Sequence, residues 1–115
     1  MSVIDDASRL RHIIQAADQA VEFVKGVRRS DLDDDVKLGL ALVRLLEIVG
    51  EAALGISESM KSKYPEVPWR QMTSMRNRLI HGYFDVNHDR VWDTIIEDLP
   101  PLITKLKRII KDEQG

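Results

Sequence analysis

The sequence predicts an all-α protein, an up-and-down bundle of four or five helices. Apolar residues recur at helical spacing along nearly the whole chain, and no segment alternates convincingly over strand length. The glycines and prolines mostly fall where helices of that pattern would end or bend. The 115 residues suit one domain over 1–115, long enough to bury a core without disulfides or metals.

The first helix is marked by Leu10, Ile13, Ile14, Ala17, Val21 and Val24 on one stripe, with Gly26 and Arg28–Arg29 suiting its C-terminal end. The acidic run Asp31–Leu32–Asp33–Asp34–Asp35 suits the positive end of the next helix. That helix is expected to be long, from about Asp33 to about Lys61. Val36, Leu40, Val43, Leu46, Val49, Ala53 and Ile56 mark its core face, and Leu42, Leu45 and Ala52 widen it. Gly39, Gly50 and Gly55 inside it suggest close approach of another helix. Glu47 and Glu51 form an i,i+4 pair that either edges the solvent or faces a site. Tyr64-Pro65-Glu66-Val67-Pro68-Trp69 breaks the pattern, and Pro68 can open a short third helix at its first position, running to about Ile80. Gly82 is placed to terminate it. Asn87 or Asp89 can cap the last helix. Its stripe is Trp92, Ile95, Ile96, Leu99, Leu102, Ile103, Leu106, Ile109 and Ile110, and Pro100–Pro101 should kink or split it.

Composition excludes several functions. With no cysteine there is no disulfide, thiol catalysis or Cys-based zinc site. No apolar run reaches the roughly 18 residues of a membrane span, and the first residues do not read as a signal peptide, so a cytoplasmic location is the expectation. There is no glycine-rich phosphate loop, no Gly-x-Ser-x-Gly elbow and no compelling metal-ligand spacing, so no cofactor and no metal are expected. The net charge of −2 means that nucleic acid would have to be held by a local basic patch.

The stretch that can carry chemistry is Met75-Arg76-Asn77-Arg78-Leu79-Ile80-His81-Gly82-Tyr83-Phe84. Histidine can transfer protons near neutral pH, and arginine can hold a phosphate and stabilise charge as it builds. Together they can cleave RNA without a metal: one group activates the ribose 2′-hydroxyl or protonates the leaving 5′-oxygen, while Arg76 holds the phosphorane. Arg76 and His81 are five residues apart, about 140° of rotation on an unbroken helix. Either the helix ends before His81 and the chain turns back, or the groups meet across a dimer interface. On spacing alone an Arg-x4-His pattern recurs by chance. His12 and His88 read as surface residues, Trp69 and Trp92 as core anchors.

These residues nonetheless resemble a known signature. Arg76 to Phe84 is similar to the motif of the HepT-like branch of the HEPN superfamily: Arg, four residues, His, any residue, Tyr. Ala41 to Ala52 is similar to that family's long-helix motif and Tyr64 to Arg70 to its connector. Val91–Trp92 and Glu97-Asp98-Leu99-Pro100 also look like family features, so the likeness covers about residues 36–104. Leu45 stands where many members carry Asn. The resemblance implies a HEPN-like helical bundle, a homodimer or higher oligomer with two motifs near a shared cleft, and in many members a metal-independent endoribonuclease. It implies catalytic Arg76 and His81, with Asn77 and Arg78 in support. It also implies the toxin role in a type VII toxin–antitoxin pair, with an MntA-like nucleotidyltransferase antitoxin that adenylylates the motif tyrosine, here Tyr83. Two other functions compete: a non-catalytic HEPN subunit that scaffolds a nucleotidyltransferase, and a nucleotide-binding sensor. The intact Arg76–His81 pair favours the ribonuclease.

Overall fold

The computed structural model describes residues 5–82 and 85–114, and among these there are helices and turns but no strand. In chain order the helices are α1 (Asp6–Phe23), α2 (Asp31–Asp34), α3 (Val36–Leu54), α4 (Glu58–Lys63), α5 (Trp69–His81), α6 (His88–Asp93) and α7 (Leu99–Gln114). A π-helical turn, Thr94–Asp98, joins α6 to α7 without a break. The bundle therefore has four long rods, α1, α3, α5 and the composite α6–α7, as expected of an all-α HEPN-like domain. α3 is the central rod: α1 and α5 both pack on it, and α7 packs on α1.

The core is built from the stripes that the periodicity marks. Leu10 and Ile13 of α1, Leu42, Leu46 and Val49 of α3, Ile95, and Leu99 and Leu106 of α7 are at most 2% exposed. Each such side chain contributes about 1.5–3 kcal/mol relative to an exposed position. Helix ends follow their caps. Asp5, Asp35, Ser57 and Asn87 each accept a hydrogen bond from a backbone N–H three residues on, opening α1, α3, α4 and α6. Gly26, at φ 73°, takes the left-handed turn after α1.

Four expectations need correction. The long second helix is three helices. Asp35 opens α3 afresh after the single turn of α2, and at the other end Gly55 caps α3 while Ser57 starts α4, its hydroxyl and N–H both bound to Asp6 of α1 at 2.6 and 2.9 Å. The core face of α3 holds Leu42, Leu46, Val49, Ala52 and Ala53 as expected, but it does not extend to the start of the helix, where Val36 and Leu40 are 71% and 66% exposed. Pro100–Pro101 do not split the last rod in two. They sit exposed in the first turn of α7, and the preceding turn closes i→i+5, with the Leu99 N–H donating to the Thr94 carbonyl. The wide turn lets the rod carry on past residues that cannot donate. Pro68 lies one position earlier than expected, as the residue before α5, where its carbonyl accepts from the Met72 N–H at 3.1 Å.

One contact sets the distance between the two rods that matter most. A Cβ placed on Gly50 of α3 would lie 2.2 Å from Arg76 Cβ and 2.7 Å from the Met72 carbonyl oxygen of α5. Only a residue with no side chain lets α5 come this close. Replacing a helical glycine by alanine normally gains ~1 kcal/mol, but here the added methyl meets backbone. Gly50→Ala should therefore lower stability by about 1–3 kcal/mol, read as a lower urea midpoint at unchanged slope.

Candidate functional site

α5 carries the candidate residues. Its sequence, Trp69 to His81, holds three arginines and a histidine and not one acid. Trp69 anchors its start: the indole is buried and its Nε1–H donates to the Tyr64 carbonyl at 3.0 Å. At the other end the Gly82 N–H donates to the Arg78 carbonyl at 2.8 Å, so the helix runs through His81 before it stops. This removes one of the two geometries open to the sequence. The chain does not turn back before His81, and within one copy Arg76 and His81 point about 140° apart.

Their surroundings differ accordingly. Arg76 is half-buried, its Cβ and Cγ lying over Gly50. Its Nη1 donates to Asn77 Oδ1 at 2.9 Å, and its buried Nε has no partner among the described residues. Asn77, Arg78 and His81 are exposed. Arg70 is exposed as well, and the spacing Arg70, Asn77, His81 (i, i+7, i+11) puts these three along one outer line of α5. Arg70 was not among the residues the motif singles out; its helical spacing from His81 is the signal that finds it. Among the described residues none of Arg70, Arg76, Arg78 and His81 is in an ion pair. The arginines of this acid-free helix are uncommitted among the described residues, in a chain whose net charge is −2.

Two grooves flank the helix. A cleft of about 730 Å³ between α5 and the last rod is lined by Met72, Met75, Arg78, Arg90, Leu102 and Lys105, among others. On the side of α3 a second groove is lined by Val36, Leu40, Val43, Glu47, Leu79 and Ile80, among others. Arg76 and His81 line neither. Glu51 does not reach the motif arginines; it pairs with Arg44 at 3.7 Å. Leu45 packs, partly buried, against the core. No group of three His, Asp or Glu side chains among the described residues is arranged to hold a metal ion. Tyr83, the candidate for modification, lies outside the described residues.

The segment after His81 is anchored at its far end. Arg29, between α1 and α2, donates to Asp89 at 2.6 Å and to Asp33 at 3.1 Å, and His88 Nδ1 lies 3.2 Å from the same Asp33 oxygen. His88 is thus part of a clamp between α2 and α6 rather than a plain surface residue.

A sequence profile of the family described as "Ribonuclease HepT-like" matches residues 13–109. The chain belongs to the HepT-like ribonuclease family. Relatives of this HepT-like chain are similar over nearly their full length. A protein of Caldanaerobacter subterraneus subsp. tengcongensis, named a candidate RNase, is 39% identical over 105 residues, covering 91% of this chain and 94% of its own. A candidate RNase of Methanocaldococcus jannaschii is 35% identical over 106 residues, 92% of this chain and 88% of its own. A Thermococcus cleftensis protein named a probable ribonuclease HepT is 39% identical over 102 residues, 89% and 93%. No solved structure matches the chain at significance. Among the described residues no helix is long and apolar enough to cross a membrane.

The clamp has a testable pH signature. His88 first and Arg29 second hold the Asp33 carboxyl below its ordinary value of 3.8. A carboxylate depressed in the folded state stabilises above its unfolded value, and that contribution is lost as the pH falls through the folded one. Acid unfolding of Asp33→Asn, followed by circular dichroism, should lose stability less steeply than wild type below about pH 4.

Proposed function

We propose that this HepT-like chain is a metal-independent endoribonuclease, the toxin of a type VII toxin–antitoxin pair. The observation that carries the proposal is the acid-free outer side of α5, where exposed His81 lies in line with Arg70 and Asn77, Arg78 is exposed beside that line, and among the described residues no carboxylate pairs with these arginines. Phosphodiester cleavage needs positive charge at the phosphate and a group that moves protons near neutral pH, and this line offers both. The ribose 2′-oxygen bonds to phosphorus, its proton passing to a base. The bond from phosphorus to the 5′-oxygen breaks, and that oxygen takes a proton from an acid. His81 serves as one of these groups, and the His81 of a second copy can serve as the other. Arg76 holds the phosphorane, with Asn77 steadying its guanidinium and Arg78 supporting the site. Because Arg76 and His81 of one copy diverge, the reading requires a homodimer in which two motifs share a cleft.

Control falls to an MntA-like nucleotidyltransferase. Its transfer of AMP from ATP to the Tyr83 hydroxyl forms a phosphodiester at the α-phosphorus and releases pyrophosphate. Tyr83 follows His81 by two residues, so the added negative charge comes near the cations that the RNA phosphate needs.

His81→Ala should keep the helical spectrum of the wild type and cleave RNA about 100- to 10,000-fold more slowly, with EDTA leaving the wild type unaffected. Full activity in purified His81→Ala protein, or cleavage that needs added metal, would overturn the mechanism. Incubation with the cognate nucleotidyltransferase, ATP and magnesium should add one AMP at Tyr83, read by intact mass and peptide mapping, and abolish cleavage. Tyr83→Phe should stay active under the same treatment. An inhibited complex with Tyr83 unmodified would point to occlusion instead. A wild-type chain that binds its partner but cleaves no RNA would be the scaffolding subunit.

A further inference from the structure

The end of α5 borders a pocket that the cleavage step leaves unused. It encloses about 430 Å³ between the last turns of α5 and the start of the last rod. Leu46, Met75, Leu79, Val86 and Val91 supply its apolar side. Arg78 of α5 and Arg90 of α6 both line it, and both are exposed. Gly82, the residue after His81, lines it too. Small-ligand sites run from about 300 to 1,000 Å³ and combine an apolar lining with a few convergent polar groups, which is the make-up here.

The two arginines are free for a ligand. Among the described residues neither is in an ion pair, although Asp85 lines the same pocket. The turn that carries Arg90 is fixed on both sides: its N–H donates to Asn87 Oδ1 at 3.1 Å, and its carbonyl accepts from the Thr94 hydroxyl at 2.7 Å. Asn87 also lines the pocket, and its amide N–H groups stay available as donors. Two guanidinium forks and an amide donor suit the oxygens of a phosphate. The apolar side suits the flat face of a base, with the Met75 thioether against the ring. Asp85 offers an acceptor to a base amino group. Arg78 and His81 are three residues apart on α5 and so are neighbours on its surface, with about 5–6 Å between Cβ atoms. A strand with one phosphate at His81 brings the next to Arg78. Beyond Arg90 the pocket opens into the wider cleft, where Asp93 and Asp98 repel phosphates. The charge pattern therefore fits one nucleotide and not a longer track.

We propose that this pocket is a single-nucleotide subsite for RNA. It takes the nucleotide next to the scissile bond, with the phosphate between Arg78 and Arg90 and the base against Met75 and Leu79. The inference rests on the ribonuclease proposed above and deepens it. Arg90, which the sequence did not single out, holds the strand in place and moves no proton.

The methionine methyl groups give a readout that needs no cleavage. In the full chain with carbon-labelled methionine methyls, followed by NMR, AMP should shift Met75 and leave Met60, on α4 and outside the pocket, unmoved. Adenosine and inorganic phosphate each supply half of the ligand and should bind at least roughly 10-fold more weakly than AMP. Arg90→Ala should keep the helical spectrum and weaken AMP by roughly 10-fold, and Arg90→Lys should weaken it less. Lys107→Ala removes a cation that pairs with Asp18 of α1 and should change nothing. A 2′-O-methyl oligoribonucleotide, which cannot be cleaved, should compete with AMP. In cleavage assays Arg90→Ala should raise KM by roughly 10-fold and leave kcat within about twofold. An unshifted Met75, phosphate binding as tightly as AMP, an oligoribonucleotide that fails to compete, or an Arg90→Ala KM equal to the wild type would overturn the proposal. The titrations need no turnover, so a wild type that cleaves no RNA would count against the ribonuclease while competition still judges the subsite.

Discussion

The missing side chain at Gly50 is the constraint on which the rest of the structure depends. α3 and α5 can approach only where nothing projects between them, and at that point the α5 backbone and the stem of Arg76 occupy the space. The contact fixes how α5 is rotated about its own axis. Rotation in turn decides which of its residues face the core and which face out: Trp69 and Met72 go in, Arg70, Asn77, Arg78 and His81 go out. A helix held loosely could not keep Arg70, Asn77 and His81 in a defined line, because the positioning of a site is only as good as the packing behind it. The unsatisfied Arg76 Nε fits this picture, since an arginine pressed against a glycine has given up part of its hydration to make the approach.

Much of this was legible in the sequence. The helices of α1, α5 and α7 follow from their apolar spacing and end where Gly26, Gly82 and the caps put them. What was not legible came from two physical sources. Periodicity detects apolar residues but not what covers them, so Val36 and Leu40 read as core although nothing in one copy buries them. Short polar interruptions inside a helical pattern are ambiguous as well. Ser57 looks like any helix residue until Asp6 of a distant segment binds it and makes it a cap. The site was legible in its composition and only half legible in its geometry. Spacing alone left two arrangements of Arg76 and His81, and the hydrogen bond of Gly82 to Arg78 removes one of them. Arg70 needed the helix to be placed before its relation to His81 could be seen.

Net charge proves a poor guide to what a small protein can hold. Seventeen basic and nineteen acidic residues average to an acidic chain, yet the acids gather at helix starts such as Asp31–Asp35 and along the last rod, and α5 has none. Several of those acids are already committed, Asp33 and Asp89 to Arg29, Glu113 to Lys63. Other acids stand close to α5, with Asp93 and Asp98 lining the cleft that Arg78 also lines and Glu47 and Asp85 lining the groove on the α3 side, so the charge around the helix is mixed at short range.

The π-helical turn before Pro100 does more than make room for proline. Val91, Ile95 and Leu99 are all buried, yet they are four residues apart, and on an α-helix each such step drifts about 40° around the axis. A turn closed i→i+5 rotates less per residue and takes that drift back. The wide turn works as a local phase corrector, bringing Leu99 back toward the line of Val91 and Ile95 at the point where the rod reaches its two prolines.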